Sequence, residues 1–435
     1  MVTKDGGLRY AKLVHVSIDN GKTEQSNKVY IMEEQSDGKI KCEYGRVGKN
    51  LTTVYKSSHQ WDKIIKEKIN PIKGYTDVTE MIAESLVEEV KTDSGNVKTA
   101  TIPDKLVRQL VDDLISFANK SIQKNYKVTQ DAVTELQVNT AQIILDDVIN
   151  SIKINCDVKS INNKLLKLYT IIPRKMDNVK NHILGSINNQ SELECAQRFL
   201  SNEQDALDSM GGQVKLLKQQ KNLTKEVTSN IKDKINKKPK ELNILEQMGL
   251  KIEVESDEEK LILIRKLVGS NLSRVKQIYK VVNEKTQKKF DAHIKKANVK
   301  SKKLLLHGSR NENIFNIVQT GLLIRPSGVI HTGSMWDDGI YFALDADKAL
   351  GYVNGGRWAG GGGRYNKVFL GMFDVNVGKQ LVKNRHDSSC YSISKEIKNS
   401  DYDSVHAKKG VSLRKDEFII YNSNQCTIKY LIEME

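Results

Sequence analysis

The chain reads as a multidomain α+β protein, with a small mixed N-terminal domain, an all-α helical bundle and a strand-rich C-terminal domain. Three observations predict this. Two β-type runs flank a turn near residue 37, apolar side chains recur at helical spacing from about 100 to 210, and short apolar runs bounded by turn residues follow from about 250. The length of 435 residues leaves room for two to four domains, each able to bury its own core.

Residues 1–90 form the first expected domain. Lys28 to Glu33 and Lys39 to Val47 are strand candidates, joined by Ser36-Asp37-Gly38. Ser58 can cap a helix that buries Trp61, Ile64, Ile65 and Ile69, with Pro71 and Gly74 as its stop. Residues 100–212 form the expected bundle. Thr101 can cap, Pro103 suits a first turn, and Leu106, Leu110, Leu114 and Phe117 share a face. Val133, Leu136, Ile144, Val148 and Ile152 mark a second helix, and Leu165, Leu166 and Leu168 lead into Tyr169–Pro173. Ser191 to Met210 is a further amphipathic helix that Gly211-Gly212 should end. Residues 213–245, rich in Lys, Gln and Asn, read as a basic linker or surface helix. The last domain, 246–435, opens with a strand at Lys251–Glu255 and a Ser256/Glu259 capping box before Leu261, Ile264 and Leu267. Strands are then expected at Arg274–Val282, Leu304–His307, Val368–Val375, Phe418–Tyr421 and Thr427–Leu431.

A net charge of +15 favours a polyanionic partner such as nucleic acid. The five cysteines are far apart and form no Cys-x-x-Cys, which argues against a cysteine zinc site and a disulfide framework; no metal is expected. No signal peptide is visible and no run approaches 18 apolar residues, so neither a membrane partner nor export is expected.

Chemistry concentrates in three segments: Leu306–Arg310, then Gly339–Phe342 with Tyr352 eleven residues after Tyr341, and then Asp416–Tyr421. His307 and Ser309, two apart at a strand end, can face one cleft. Gly339 lets backbone pass close to a ligand, and Asp345 can cap a helix on which Lys348 and Tyr352 share a face. Tyr341 and Tyr352 could sandwich a planar ring. Glu417 begins a strand whose Ile419 and Tyr421 share its face, and a carboxylate there can stabilise positive charge developing on a bound group.

Taken together, Leu306–Arg310, Gly321–Arg325, Gly339–Ala343 and Glu417–Tyr421 resemble the successive segments of poly(ADP-ribose) polymerase catalytic domains. The resemblance implies an ADP-ribosyltransferase fold that takes NAD as substrate and releases nicotinamide. It implies that His307 holds a ribose hydroxyl, Gly308 binds the carboxamide through its backbone, where Ser309 can also reach, Tyr352 stacks on nicotinamide with Tyr341 on its other side, and Glu417 is the catalytic and elongation glutamate. Lys348 matches a lysine on the acceptor side, while Asn313 and Arg325 fall near the adenosine end. Ala349 stands where the family usually has a serine that holds the carboxamide, which removes one hydrogen bond to NAD. Leu323 stands where an arginine is frequent, so Arg325 is a substitute. The glycine-rich 355–363 has no counterpart and reads as a surface loop.

Tyr44-Gly45-Arg46-Val47-Gly48-Lys49 and the later Lys73-Gly74-Tyr75 resemble the family's Trp-Gly-Arg domain, with Tyr44 replacing the tryptophan. That implies docking on DNA breaks, preferably 5′-phosphorylated, through Lys41, Tyr44, Arg46, Lys49 and Lys56. The helices resemble the family's autoinhibitory domain, which implies allosteric activation by DNA. The expected whole is a DNA-break-activated enzyme of the DNA-damage response and DNA repair. It would build poly(ADP-ribose) on itself and nearby proteins in the nucleus, or act in the cytoplasm if the source is prokaryotic or viral. The alternatives are a mono-ADP-ribosyltransferase acting on protein or DNA ends, and an inactive DNA-binding scaffold.

Overall fold

The computed structural model describes all residues except 1–2, 4–6, 19–24, 83–100, 234–242, 325–334 and 360–364. It is a multidomain α+β protein whose contacts divide it into two compact units. The first joins Met1–Asn96 to Ser121–Leu217, and the second joins Val97–Lys120 to Lys218–Glu435.

The first unit opens with β1 (Tyr10–Ile18), β2 (Gln25–Glu34), β3 (Lys39–Arg46), β4 (Thr52–Ser57), α1 (Trp61–Ile69) and β5 (Thr76–Asp77). The strands form an antiparallel sheet in the order β4-β3-β2-β1-β5. Its two faces are both covered. Ala11, Leu13, Tyr30, Met32, Ile40 and Cys42 pack with Trp61 and Ile64 of α1. Val14, Val16 and Val29 share a core with the helices that follow. Those are α2 (Lys105–Asn125), which enters from the second unit, α3 (Glu135–Lys153), α4 (Val158–Ile171) and α5 (Gln190–Asp233), which returns to it. Thr134 and Gln137 exchange side-chain bonds with each other's backbone N–H at the start of α3, so two otherwise orphaned donors are satisfied. Arg174 and Glu203 are paired at 2.9 Å with each side chain only 6% exposed, and the guanidinium lies over Tyr126. Breaking either partner would strand a buried charge.

The second unit contains α6 (Ile244–Met248), β6 (Leu250–Val254), α7 (Glu258–Val268), β7 (Val275–Asn283), α8 (Glu284–Lys296), β8 (Lys302–Gly308) and α9 (Asn311–Thr320). It continues with β9 (Ile340–Phe342), α10 (Ala346–Leu350), β10 (Val368–Asn376), β11 (Gln380–Lys383), α11 (Ile393–Lys398), β12 (Ser404–Ala407), β13 (Glu417–Ile420) and β14 (Cys426–Met434). One sheet runs β6-β7-β14-β10-β8 and a second runs β11-β12-β13-β9. Leu306 of β8 and Ala343 just after β9 exchange backbone bonds of 2.8 and 2.9 Å, which fastens an edge of one sheet to an edge of the other. The first part of α2 belongs to this unit. Asp113 meets Lys367 at 2.8 Å, Lys367 also meets Glu433 at 2.7 Å, and Phe117 sets its ring edge-on to Phe369. Leu110 and Leu114 are buried beside them, each contributing about 1.5–3 kcal/mol by leaving water.

Several local expectations are corrected. Gly211-Gly212 does not end a helix, because α5 continues to Asp233. Gly211 instead leaves room for Val138 of α3, whose Cγ1 would sit 3.0 Å from an added Cβ. The basic stretch 213–245 therefore begins as helix, and the part beyond Asp233 up to residue 242 lies outside the described residues. Ser58 opens a short 3-10 turn and does not cap α1. Asp104 caps α2 by accepting from Leu106 and Val107, where Thr101 was expected. Asp257 caps α7 in place of Ser256. Leu106 and Leu136 face solvent.

Candidate active site

The candidate site lies where the end of β8 adjoins β9, which pairs in turn with β13. His307 sits near the end of β8, its ring edge-on to Phe342 and Phe373. Its Nδ1 lies 2.9 Å from the Tyr341 carbonyl. A carbonyl only accepts, so Nδ1 carries the proton and Nε2 of the neutral ring offers a lone pair. Nε2 of the neutral His307 ring can thus accept a hydrogen bond from a bound hydroxyl. Desolvation lowers its pKa from 6.5, opposed by the bond to Tyr341.

This shift fixes a pH dependence. The folded value is depressed, so the stability supplied by the neutral ring is complete above 6.5 and falls as pH drops through the lowered value. Nicotinamide release, followed as kcat/KM against pH, should therefore keep its acid limb below 6.5. An acid limb at or above that value that disappears in His307→Gln would contradict this assignment.

Gly308 follows, and an added Cβ there would collide with the Ala349 carbonyl oxygen while touching Tyr352 Cβ at 3.4 Å. Only glycine lets β8 run this close to the end of α10. Asp345 caps α10 by accepting from the Asp347 N–H, as expected. The helix stops at Leu350, so Tyr352 lies in the turn beyond it and does not share a helical face with Lys348. Tyr352 packs on Trp358 with centroids 4.9 Å apart, and Trp358 also covers Gly351, where any Cβ would collide with the indole. The described part of the glycine-rich segment thus braces Tyr352; residues 360–363 lie outside the described residues.

Glu417 opens β13 opposite Ala407, and its carboxylate meets Lys348 Nζ at 2.7 Å with both side chains 8% exposed. Lys348 also donates to the Lys415 carbonyl at 3.1 Å, and Lys415 Nζ returns to Asp345 at 2.5 Å. The ion pair is thereby held from the strand and from the helix cap. Glu417, Ile419 and Tyr421 share a face, and Tyr341 of β9 pairs with Ile419. Burial first, and the Glu417 charge second, raise the pKa of Tyr352, so its hydroxyl stays protonated. Tyr341 is likewise raised, chiefly by burial. Gly339 does not adjoin open ligand space: an added Cβ would press on Ile419 of β13 and on Tyr421 just beyond it.

His307, Gly308, Tyr341, Lys348, Tyr352 and Glu417 are therefore brought together. Ser309 and Asn313 stand at the β8–α9 junction, 3.5 Å apart through Oγ and Nδ2. Arg325 lies outside the described residues. Trp358, Lys415 and the Trp336–Asp337 turn were not foreseen, since no local pattern marks a residue that acts through backbone atoms or packing.

At the N-terminal sheet, Tyr44 stacks on Tyr30 at 5.6 Å and is 36% exposed. Arg46 donates to the Asp177 carbonyl at 3.1 Å. Tyr44, Arg46 and Lys56 belong to one face, Lys56 standing opposite Ile40. Lys41 alternates to the other face and is paired with Glu43 at 3.1 Å. Lys49 is exposed in the following turn. Among the described residues no group of three or more His, Cys, Asp and Glu could hold a metal, and no helix is long and apolar enough to cross a membrane.

The poly(ADP-ribose) polymerase catalytic domain model matches residues 264–435. Protein 101L of Invertebrate iridescent virus 6, which has no assigned role, is 30% identical over 206 residues, covering 47% of this chain and 78% of that protein. The same virus has a protein named as poly(ADP-ribose) polymerase-like, 100L, that is 31% identical over 167 residues, covering 38% of this chain and 87% of that protein. The mouse protein mono-ADP-ribosyltransferase PARP3 is 28% identical over 193 residues, 37% of this chain and 33% of the mouse protein.

Proposed function

The chain belongs to the poly(ADP-ribose) polymerase family and is an ADP-ribosyltransferase with NAD as substrate, and from that premise we propose that it builds poly(ADP-ribose) on itself and nearby proteins when it meets a DNA break. The observation that carries the transfer chemistry is the buried Glu417–Lys348 pair beside Tyr341 and Tyr352. In this reading Gly308 backbone groups hold the carboxamide, Tyr352 and Tyr341 wall the nicotinamide, and His307 Nε2 accepts from a ribose hydroxyl. The glycosidic bond to nicotinamide then breaks with its electron pair leaving on the ring. Glu417 stabilises the positive charge that develops on the ribose carbon and accepts a hydrogen bond from the incoming hydroxyl. Lys348 keeps the carboxylate aimed.

Support for a DNA trigger comes from the net charge of +15 and from Tyr44, Arg46 and Lys56 on one face of the N-terminal sheet. Arg46 is hydrogen-bonded to Asp177, so a phosphate that recruits Arg46 would compete with a contact to the helical segment. Autoinhibition by the helices is supported within the second unit, where Lys367 Nζ donates to the Asp113 carboxylate of α2 and the Lys367 carbonyl accepts from Asn311, next to Arg310. A single-unit product is the second reading, favoured by the mouse mono-ADP-ribosyltransferase among the relatives.

Nicotinamide release should be low without DNA and with intact circular DNA, and rise sharply with a 5′-phosphorylated nicked duplex, with a ladder of products on a gel. Release that ignores the nick would refute the DNA trigger, and a single product band would favour the second reading.

A further inference from the structure

The turn before β9 connects segments that the transfer chemistry does not by itself require to be connected. Asp337 has φ of +61°, in the left-handed region that side chains seldom adopt and that aspartate tolerates better than most. Backbone and side chain both hold it there. The Tyr341 hydroxyl donates to the Asp337 carbonyl at 2.7 Å and accepts from the Trp336 N–H at 2.9 Å. The Tyr421 hydroxyl, from just beyond β13, donates to the Trp336 carbonyl at 2.7 Å. One oxygen of the Asp337 carboxylate accepts from both the Ser394 N–H, at 3.1 Å, and the Ser394 hydroxyl, at 2.5 Å, in the first turn of α11. Trp336 itself is 1% exposed, in a core with Cys390, Ile393 and Ile419.

A continuous chain of hydrogen bonds therefore runs from α11 through Asp337 to Tyr341, and from the Tyr341 carbonyl to His307. We infer that Asp337 is a positioning residue whose carboxylate ties α11 to the turn that fixes Tyr341, and so sets the orientation of Tyr341 and His307 toward NAD. Asp337 touches neither of the reacting groups placed above and acts through Tyr341. The inference rests on the assignment of Tyr341 and His307 to the NAD cleft. Because both bind NAD in the ground state, losing their orientation should weaken binding rather than the bond-breaking step.

The test is steady-state nicotinamide release by the full chain carrying Asp337→Ala, Asp337→Gly, Asp337→Asn, Ser394→Ala, or Asp337→Ala with Ser394→Ala. Asp337→Gly suits the positive φ without the carboxylate, so it separates the tie to α11 from backbone strain and keeps the test open if Asp337→Ala folds poorly. Expected is a rise in KM for NAD of about 5-fold or more in the Ala and Gly variants with kcat within about 2-fold of wild type. Asp337→Asn, whose amide oxygen can still accept from Ser394, should stay within about 2-fold in both constants, and adding Ser394→Ala to Asp337→Ala should change little further. Wild-type kinetics in Asp337→Gly, or a fall in kcat with KM unchanged, would overturn the inference. If the wild-type chain released no nicotinamide, that would count against the transfer reading alone. NAD affinity by calorimetry on the same variants would then decide for or against Asp337, with the same fold-change expected.

Discussion

Glu417→Gln is expected to cut nicotinamide release by about 10²–10³-fold, the usual cost of removing a group aimed at transition-state charge. The effect should fall on kcat, since in the proposed reaction the carboxylate works as positive charge develops on the ribose carbon. The same substitution leaves Lys348 as a cation 8% exposed beside a neutral amide. Breaking a buried pair from one side typically costs about 3–5 kcal/mol. The amide oxygen can still accept from the ammonium, so Glu417→Gln should lose less stability than Lys348→Met, which leaves the carboxylate stranded. Joining both changes should recover most of the stability and none of the turnover. Thermal unfolding and nicotinamide release on the same three variants measure the two effects separately. Near-wild-type turnover in Glu417→Gln would remove this residue from the chemistry.

Gly308→Ala is expected to be the next most severe change. The added methyl would collide with the Ala349 carbonyl, so the end of β8 or of α10 must move. Misplacement of about 1 Å around a reacting centre can cost about 10²-fold in rate, and overpacking costs about 1–3 kcal/mol. Nicotinamide release and melting temperature should both fall, with NAD affinity lost as the carboxamide site is distorted. Gly378→Ala makes a useful contrast, because its added Cβ would meet the Asp403 side chain, at the end of β12 away from Glu417. If Gly308→Ala kept its NAD affinity, the carboxamide could not be bound as assigned.

The strands that bear the cleft were legible because each is a short apolar run ended by a distinctive polar residue. Leu305–His307 and Phe418–Ile420 show that alternation of chemistry at the strand end. β1 was missed because Leu13 and Val14 are both buried, on opposite faces of a sheet covered on both sides, so no period of two appears. Gly211-Gly212 suggested a helix end because glycine is a weak helix former, yet close packing against Val138 outweighs that propensity in place. The caps were misplaced by one to three residues, since Asp104 and Asp257 compete with nearby Thr and Ser for the same role. In the site, Glu417, His307 and the tyrosines were readable as residue types. Lys415 was not, because its carbonyl holds Lys348 and a carbonyl has no letter in a sequence.

Only the paired bonds of Leu306 and Ala343 fasten the β8 edge to the β9 strand by backbone among the described residues. The segment from 378 to 408, which carries β11 and β12, is a module on the edge of the four-stranded sheet farthest from β9 and that seam. Selection can lengthen, shorten or recharge that module to suit a new acceptor while the histidine strand and its five-stranded sheet stay as they are. A lineage that changes what it modifies need not relearn how to hold NAD.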